Sequence, residues 1–420
     1  MFPLILIYVA LTIVRPQDYV AGLTGMPLLP VVLILAFLCW IGSKDKTTAA
    51  PQFTLLPAFL LVLMFSQVVN GWTGGALDQL EKFGPTAISF FIFAAACTTQ
   101  RRLTISMGVV VLCAMVLALH GAEQARTGIG WTGTPLIEDG RIQYVGIFND
   151  PNDLGLLFVA AIPMAIFLRR FGGLLGRLFW LAGAVLLLCG VYLTNSRGAM
   201  LAVLVVAGVY IWHRRGPVTA GTLGALGLIG MQALSSRMHE LDAGEESASG
   251  RVDAWYSGMH MFLSHPLFGV GAGNFTEYND LTAHNSFVLV LAETGFVGFL
   301  LWLAFVGYSF RMMLAVLRLK LEPADDVDMT TRYQSERAIA LTLLLTLCGL
   351  FSAAFFLSRS YMIVLYLLIA MVVGYYVGAR QRFPPLPAFS LNATGWRWIP
   401  AAMGSVVAMF VLVTVLLHTQ

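Results

Sequence analysis

The chain has 420 residues, 58% of them hydrophobic and 11% charged, with a formal net charge of +3 and a mean hydropathy of +0.80. Too little polar surface exists to cover a water-soluble globule of this size, so the composition excludes that class and makes lipid the solvent. The small positive balance is spread along the chain and gives no argument for nucleic acid as a partner.

Apolar stretches of about 15 to 20 residues recur from end to end, each able to cross roughly 30 Å of hydrocarbon as a helix. In chain order the expected spans are 2–14, 26–42, 53–69, 84–98, 103–119, 153–168, 178–193, 199–212, 218–234, 286–309, 338–357, 361–378 and 398–417. Ten-residue alternation of the barrel kind is absent. The expected fold is therefore an all-α polytopic integral membrane protein with about twelve transmembrane helices, a single membrane domain over 1–420 whose backbone groups are satisfied within each helix. The run from Met1 to Val14 has neither a basic start nor a small-residue cleavage site, so no cleavable signal is expected there.

Lys and Arg set the orientation. Of the 25, 17 fall in one set of alternate connections, including the pairs at Arg101/Arg102, Arg169/Arg170 and Arg214/Arg215, and this set is read as cytoplasmic. The loops 121–152 and 235–285, with the turns at Arg197 and Arg359, then face outward. Cys39, Cys97, Cys113, Cys189 and Cys348 all lie in apolar runs and read as small buried thiols without disulfides.

Polar residues gather on the outward side. Phe148-Asn149-Asp150-Pro151-Asn152-Asp153 closes the first long loop and reads as a turn leading into a helix, with Asn152 or Asp153 capping the next amides. Asn195-Ser196-Arg197-Gly198 joins two spans. There Arg197 fits two readings, a snorkelling headgroup anchor or a phosphate ligand with Asn195 and Ser196 as neutral donors beside it. Ser249-Gly250-Arg251-Val252-Asp253 reads as a helix start, with Ser249 or Gly250 as cap and Arg251 projecting from the first turn. Val252, Trp255, Tyr256, Met259 and Phe262 or Leu263 follow at the spacing of a helix lying against the membrane, ended by Pro266. Gly269, Gly271 and Gly273 lack the strand-helix context of a nucleotide loop and read as a flexible turn. His284 immediately precedes a long apolar helix capped by Asn285 or Ser286, whose dipole favours a neutral imidazole. It fits an exposed loop histidine or a general base.

These residues carry a resemblance. Gly250-Arg251-Val252-Asp253-Ala254-Trp255, His265-Pro266-Leu267-Phe268-Gly269-Val270-Gly271-Ala272-Gly273-Asn274-Phe275, His284-Asn285-Ser286-Phe287 and Leu291-Ala292-Glu293-Thr294-Gly295, with Asn195-Ser196-Arg197-Gly198 upstream, resemble the O-antigen ligase/polymerase family over roughly 190–300. The resemblance implies a membrane glycosyltransferase of the GT-C type in the bacterial inner membrane. It would take a glycan from undecaprenyl pyrophosphate at the periplasmic face and pass it to a sugar hydroxyl of the lipid A core. No cofactor or metal is implied, and the outward loops show no compact set with metal-ligand spacing.

In physical terms, breaking the bond between an anomeric carbon and pyrophosphate leaves negative charge on the departing phosphate, which Arg197 and Arg251 would stabilise. His284 would take the proton of the attacking hydroxyl. Asn285 and Arg359 are further candidates for substrate contact, and Arg126 and Arg141 for the incoming donor, although headgroup anchoring explains these arginines equally well. Glu293, deeper in the helix after His284, is expected to be structural and to need an internal partner. A polymerase, a protein O-oligosaccharyltransferase and a lipid-linked glycan transporter are the alternatives. The chain's stop directly after its last apolar run favours the ligase over the protein transferase. The absence of an internal repeat argues against the transporter.

Overall fold

The computed structural model describes residues 1–44, 46–137, 140–234, 246–319 and 327–418. Arg237 and Lys320, counted above for orientation, lie outside them, as does the start of the 235–285 loop. Among the described residues the chain forms sixteen α-helices and no strand beyond two isolated bridges. The first nine are α1 (Phe2–Val14), α2 (Leu28–Ile41), α3 (Gln52–Val69), α4 (Thr73–Ala96), α5 (Gln100–Thr127), α6 (Pro151–Leu168), α7 (Gly173–Leu193), α8 (Arg197–Arg215) and α9 (Pro217–Leu234). After them come α10 (Glu246–Ser264), α11 (Phe275–Tyr278), α12 (Ser286–Arg318), α13 (Val327–Ala354), α14 (Ile363–Arg382), α15 (Leu391–Thr394) and α16 (Trp398–His418).

Each expected span coincides with a helix, and several helices outrun the apolar run that announced them. α4 and α13 begin well before their hydrophobic stretches, and α5 continues to Thr127 into what the sequence suggested was loop. Among the described residues, eight helices are long and apolar enough to cross a membrane: α3, α5, α6, α7, α12, α13, α14 and α16. α1, α2 and the segment Pro217–Gly230 of α9 are shorter apolar helices. The protein is thus all-helical and built for repeated membrane crossing.

α6 and α14 form the centre, each buried over 89% of its apolar stretch, whereas α16 is buried over only 11%. Rim helices present apolar residues outward, Leu174 and Leu175 of α7 among the most exposed. A surface of this kind is stable only against hydrocarbon. The cysteines divide accordingly: Cys97 and Cys113 are buried as expected, but Cys39 and Cys189 lie exposed on α2 and α7. An apolar helix bathed in lipid need not turn every apolar side chain inward.

α12 is not one continuous helix. At Gly295 the backbone takes φ 63° and ψ −164°, which isolates a first segment, Ser286 to Thr294, from the rest. Breaking a helix exposes carbonyls before the break and amides after it, and in a membrane core these need partners. The glycine-rich segment supplies them. Val270 and Gly271 donate to the carbonyls of Ala292 and Glu293, while Phe296 and Val297 donate to those of Pro266 and Leu267. α3 and α4 hold the segment from the other side: Ala272 N–H donates to Ser66 Oγ at 3.1 Å, and Asn70 and Gln79 donate to Gly269 O and Ala272 O at 2.9 Å each. The turn at Gly269 to Gly273 is therefore not flexible. It is a seam sewn into the break of α12.

Glu293 belongs to this seam. Its Oε1 accepts from the Phe275 amide at 3.3 Å and its Oε2 from the Tyr361 hydroxyl at 2.8 Å, at a residue only 2% exposed. The internal partner that a membrane carboxylate needs is Tyr361, in the α13–α14 connection.

Candidate functional site

Among the described residues three non-glycine residues have positive φ, and two of them, Asn195 (φ 47°) and His284 (φ 46°), open the same local structure. Each is followed by a capping residue and then a long helix. Ser196 Oγ accepts from the Ala199 amide and starts α8, and Asn285 Oδ1 accepts from the Phe287 and Val288 amides and starts α12. Left-handed backbone is tolerated by Asn and His better than by most residues and is held only where surrounding structure demands it. Here it turns the chain sharply into the helix, so that Arg197 is the first helical residue of α8.

The starts of α6, α8 and α12 and the end of α13 meet at one end of the bundle. A cavity of about 170 Å³ opens there, lined by Arg141, Asn195, Ser196, Arg197 and Arg251 with Phe356 and Leu357. Three separate parts of the chain thus supply one guanidinium group each to one small space, and a fourth closes it with Phe356 and Leu357. Arg141 is braced: its Nε donates to Thr194 O at 3.0 Å and its Nη2 to Asn152 Oδ1 at 3.1 Å. That ties the 128–150 connection to the α7–α8 turn.

Beside the cavity, the α13–α14 connection clamps the His284 turn. Arg359 N–H donates to Ser286 Oγ at 3.1 Å, Ser286 Oγ to Leu357 O at 2.6 Å, Ser360 Oγ to Ser286 O at 2.7 Å, and Thr282 Oγ1 to Ser358 Oγ at 2.8 Å. The Arg359 side chain pairs with Asp153 of α6 at 2.6 Å, where the carboxylate is fully buried. A single buried carboxylate therefore anchors the connection that holds the histidine turn.

His284 is half-buried at the edge of this group. Burial first, and then the positive field of Arg251, lower its pKa below the ordinary histidine value of 6.5; Asp150 pulls the other way and Arg359 adds to the lowering. The imidazole is therefore neutral near pH 7 and free to accept a proton. Burial and a neighbouring cation do what the sequence attributed to the helix dipole.

Several sequence expectations change. The cap of α6 is Asp150, whose Oδ1 accepts from Asn152 N–H at 2.7 Å; Asn152 serves Arg141 and Asp153 serves Arg359 instead. Helix α10 begins at Glu246, so Gly250 lies inside it and Arg251 stands in its second turn; the side chain of Ser249 is outside the described residues. The apolar face of α10 packs on the protein itself: Val252, Trp255 and Met259 are buried, Trp255 meets Phe355 at 5.7 Å, and α12 is the main neighbour. Only Tyr256 and Leu263 stay outward. Ser196 and Asn285 use their side-chain oxygens as caps. Arg126, in the last turn of α5, is exposed and does not line the cavity. Asp153 and Ser286 are the site residues that sequence reasoning missed as such. Their signal was present in the Asn-Asp-Pro-Asn-Asp and His-Asn-Ser runs but was explained by capping alone.

The arrangement suits a compact polyanion held by guanidinium groups next to a group able to take a proton. Residues 182–303 match the O-antigen ligase family, and residues 2–173 match a family of unknown function, DUF5935. No curated protein matches the chain in sequence.

Proposed function

Through residues 182–303 this chain belongs to the O-antigen ligase family, and from that premise we propose that it is a GT-C-type glycosyltransferase joining a lipid-linked glycan to the lipid A core. The donor is a glycan on undecaprenyl pyrophosphate, the acceptor a sugar hydroxyl, and the site faces the periplasm from the bacterial inner membrane. The observation that carries this reading is one cavity lined by Arg141, Arg197 and Arg251 with the neutral imidazole of His284 beside it.

The reaction follows from these groups. His284 takes the proton of the acceptor hydroxyl as its oxygen bonds to the anomeric carbon. The bond from that carbon to the diphosphate breaks on the opposite side, so the centre inverts and no covalent enzyme intermediate forms. Arg197 and Arg251 hold the negative charge that gathers on the leaving diphosphate. Fixed cations act before the charge develops and need no reorganisation at the moment of reaction.

The test uses purified protein, undecaprenyl-pyrophosphate glycan and lipid A core without nucleotide. Conjugation of glycan to core is the expected product. Lengthening of the donor would make the protein a polymerase, transfer to serine or threonine a protein glycosylase, and no new bond would end the enzymatic reading. In the same assay Arg197→Ala and Arg251→Ala are each expected to cost about 3 kcal/mol, roughly a hundredfold in kcat. A loss under threefold in either would remove that arginine from the diphosphate.

A further inference from the structure

Three of the helices that meet at the candidate site, α6, α8 and α13, also frame a second recess at their other ends. α6 is 18 residues long, so the two lie about 27 Å apart along it. The far recess measures about 570 Å³ and takes Arg170 from just past the end of α6, His213 and Arg214 from the last turn of α8, and Gln334, Ser335 and Arg337 from around the third turn of α13. None of its described lining residues is acidic. Arg214 and Arg337 both act on His213 electrostatically, so the cations share one field. Two of them are pre-oriented on aromatic faces, Arg170 at 5.5 Å from Phe167 and Arg214 at 5.8 Å from Tyr210. Neighbouring recesses extend the strip, Arg169 and Arg177 on one side and Arg215 on the other.

Membrane orientation alone explains basic residues near an interface. It does not explain guanidinium groups from the ends of α6 and α8 and from α13 converging on a recess that also offers the neutral donors Gln334 and Ser335. Both features favour a bound oxyanion. Ala338 and Leu341 line the same space, and the exposed Leu174 adjoins the strip, so the anion should carry an apolar chain.

We propose that the strip between the far ends of α6, α8 and α13 binds the phosphate of an anionic phospholipid headgroup, with Arg170, Arg214 and Arg337 as its ligands. The site is separate from the arginine cavity and does not depend on the reaction assigned there. Bound lipid bridges three helices that enter the candidate site, and so stabilises the fold.

The experiment measures thermal unfolding of the full chain in a neutral detergent with added phosphatidylglycerol, phosphatidylcholine or inorganic phosphate. Phosphatidylglycerol is expected to raise the midpoint by several degrees and phosphatidylcholine to leave it nearly unchanged. The paired change Arg170→Gln with Arg337→Gln should raise the half-maximal lipid concentration at least tenfold, and the Arg170→Lys, Arg337→Lys pair should retain part of the response. The lipid-free midpoints of both pairs report whether they fold. Equal shifts with both lipids, an unaltered response in the glutamine pair, or a full response to inorganic phosphate alone would each overturn the proposal. Glu322, Asp325, Asp326 and Asp328 precede this strip in sequence. A lipid response that appears only after all four are neutralised would assign the strip to that acidic run, and would overturn it as well.

Discussion

Replacing His284 with alanine is expected to lower glycan transfer by about 10² to 10⁴-fold, the usual contribution of a positioned general base, while donor binding stays within a fewfold of the parent. The separation follows from position: the arginine-lined cavity does not include His284, whose proposed role is to accept the acceptor's proton. The pH profile tests the same assignment. Only the neutral imidazole is a base, so the rate rises with pH through the His284 pKa and then levels. Because burial and Arg251 lower that pKa, the acid limb should fall below the 6.5 of an ordinary histidine. Arg251→Gln removes one lowering influence, so the limb should move upward in pH even as the maximal rate falls. An acid limb that stays put in Arg251→Gln, or full turnover by His284→Ala, would take the base role away from this residue.

The second large effect is on folding. Gly295→Ala would set a methyl group 2.4 Å from the Leu267 carbonyl carbon and 2.5 Å from its oxygen, in a backbone region open only to glycine. Neither obstacle is a movable side chain. We expect a loss of at least about 3 kcal/mol, since the α12 break and the seam that satisfies it must both be disturbed. Thermal unfolding in detergent, with the yield of monodisperse protein, measures it. Gly404→Ala on α16 meets nothing within 4 Å and is the matched control, expected to melt as the parent does. Parent-like stability in Gly295→Ala would mean that the seam contributes little.

Hydropathy made the helical spans legible because lipid demands long apolar runs whatever their partners are. The same rule could not show where α12 breaks. Gly295 in Leu291-Ala292-Glu293-Thr294-Gly295 reads as an ordinary helix glycine until Pro266 to Gly271 are known to lie against it, and that pairing is non-local. The face of α10 was misassigned for a related reason. Val252, Trp255 and Met259 have the spacing of a buried stripe, but spacing alone does not distinguish a lipid surface from the flank of α12. For the site, the residue types singled out Arg197, Arg251 and His284, and the structure brings the two arginines to one cavity with His284 in the field of Arg251. What remained hidden was support: Asp153 looked like a cap, and nothing local linked it to Arg359 some two hundred positions on. Arg126 shows the converse, an arginine in the right loop whose helix carries it away from the cavity.

The paired helix starts have a consequence for selectivity. Ser196 and Asn285 turn their oxygens onto the backbone, and Asn152 turns its oxygen onto Arg141, so what these three have left to offer is chiefly hydrogen-bond donors, which reinforce a hold on phosphate oxygens. What faces the ligand is chiefly permanent charge. On the proposed reading, such a grip recognises the handle by which the glycan is carried and is indifferent to the glycan itself, so the repeating unit could diversify without any change to the anchor that holds it.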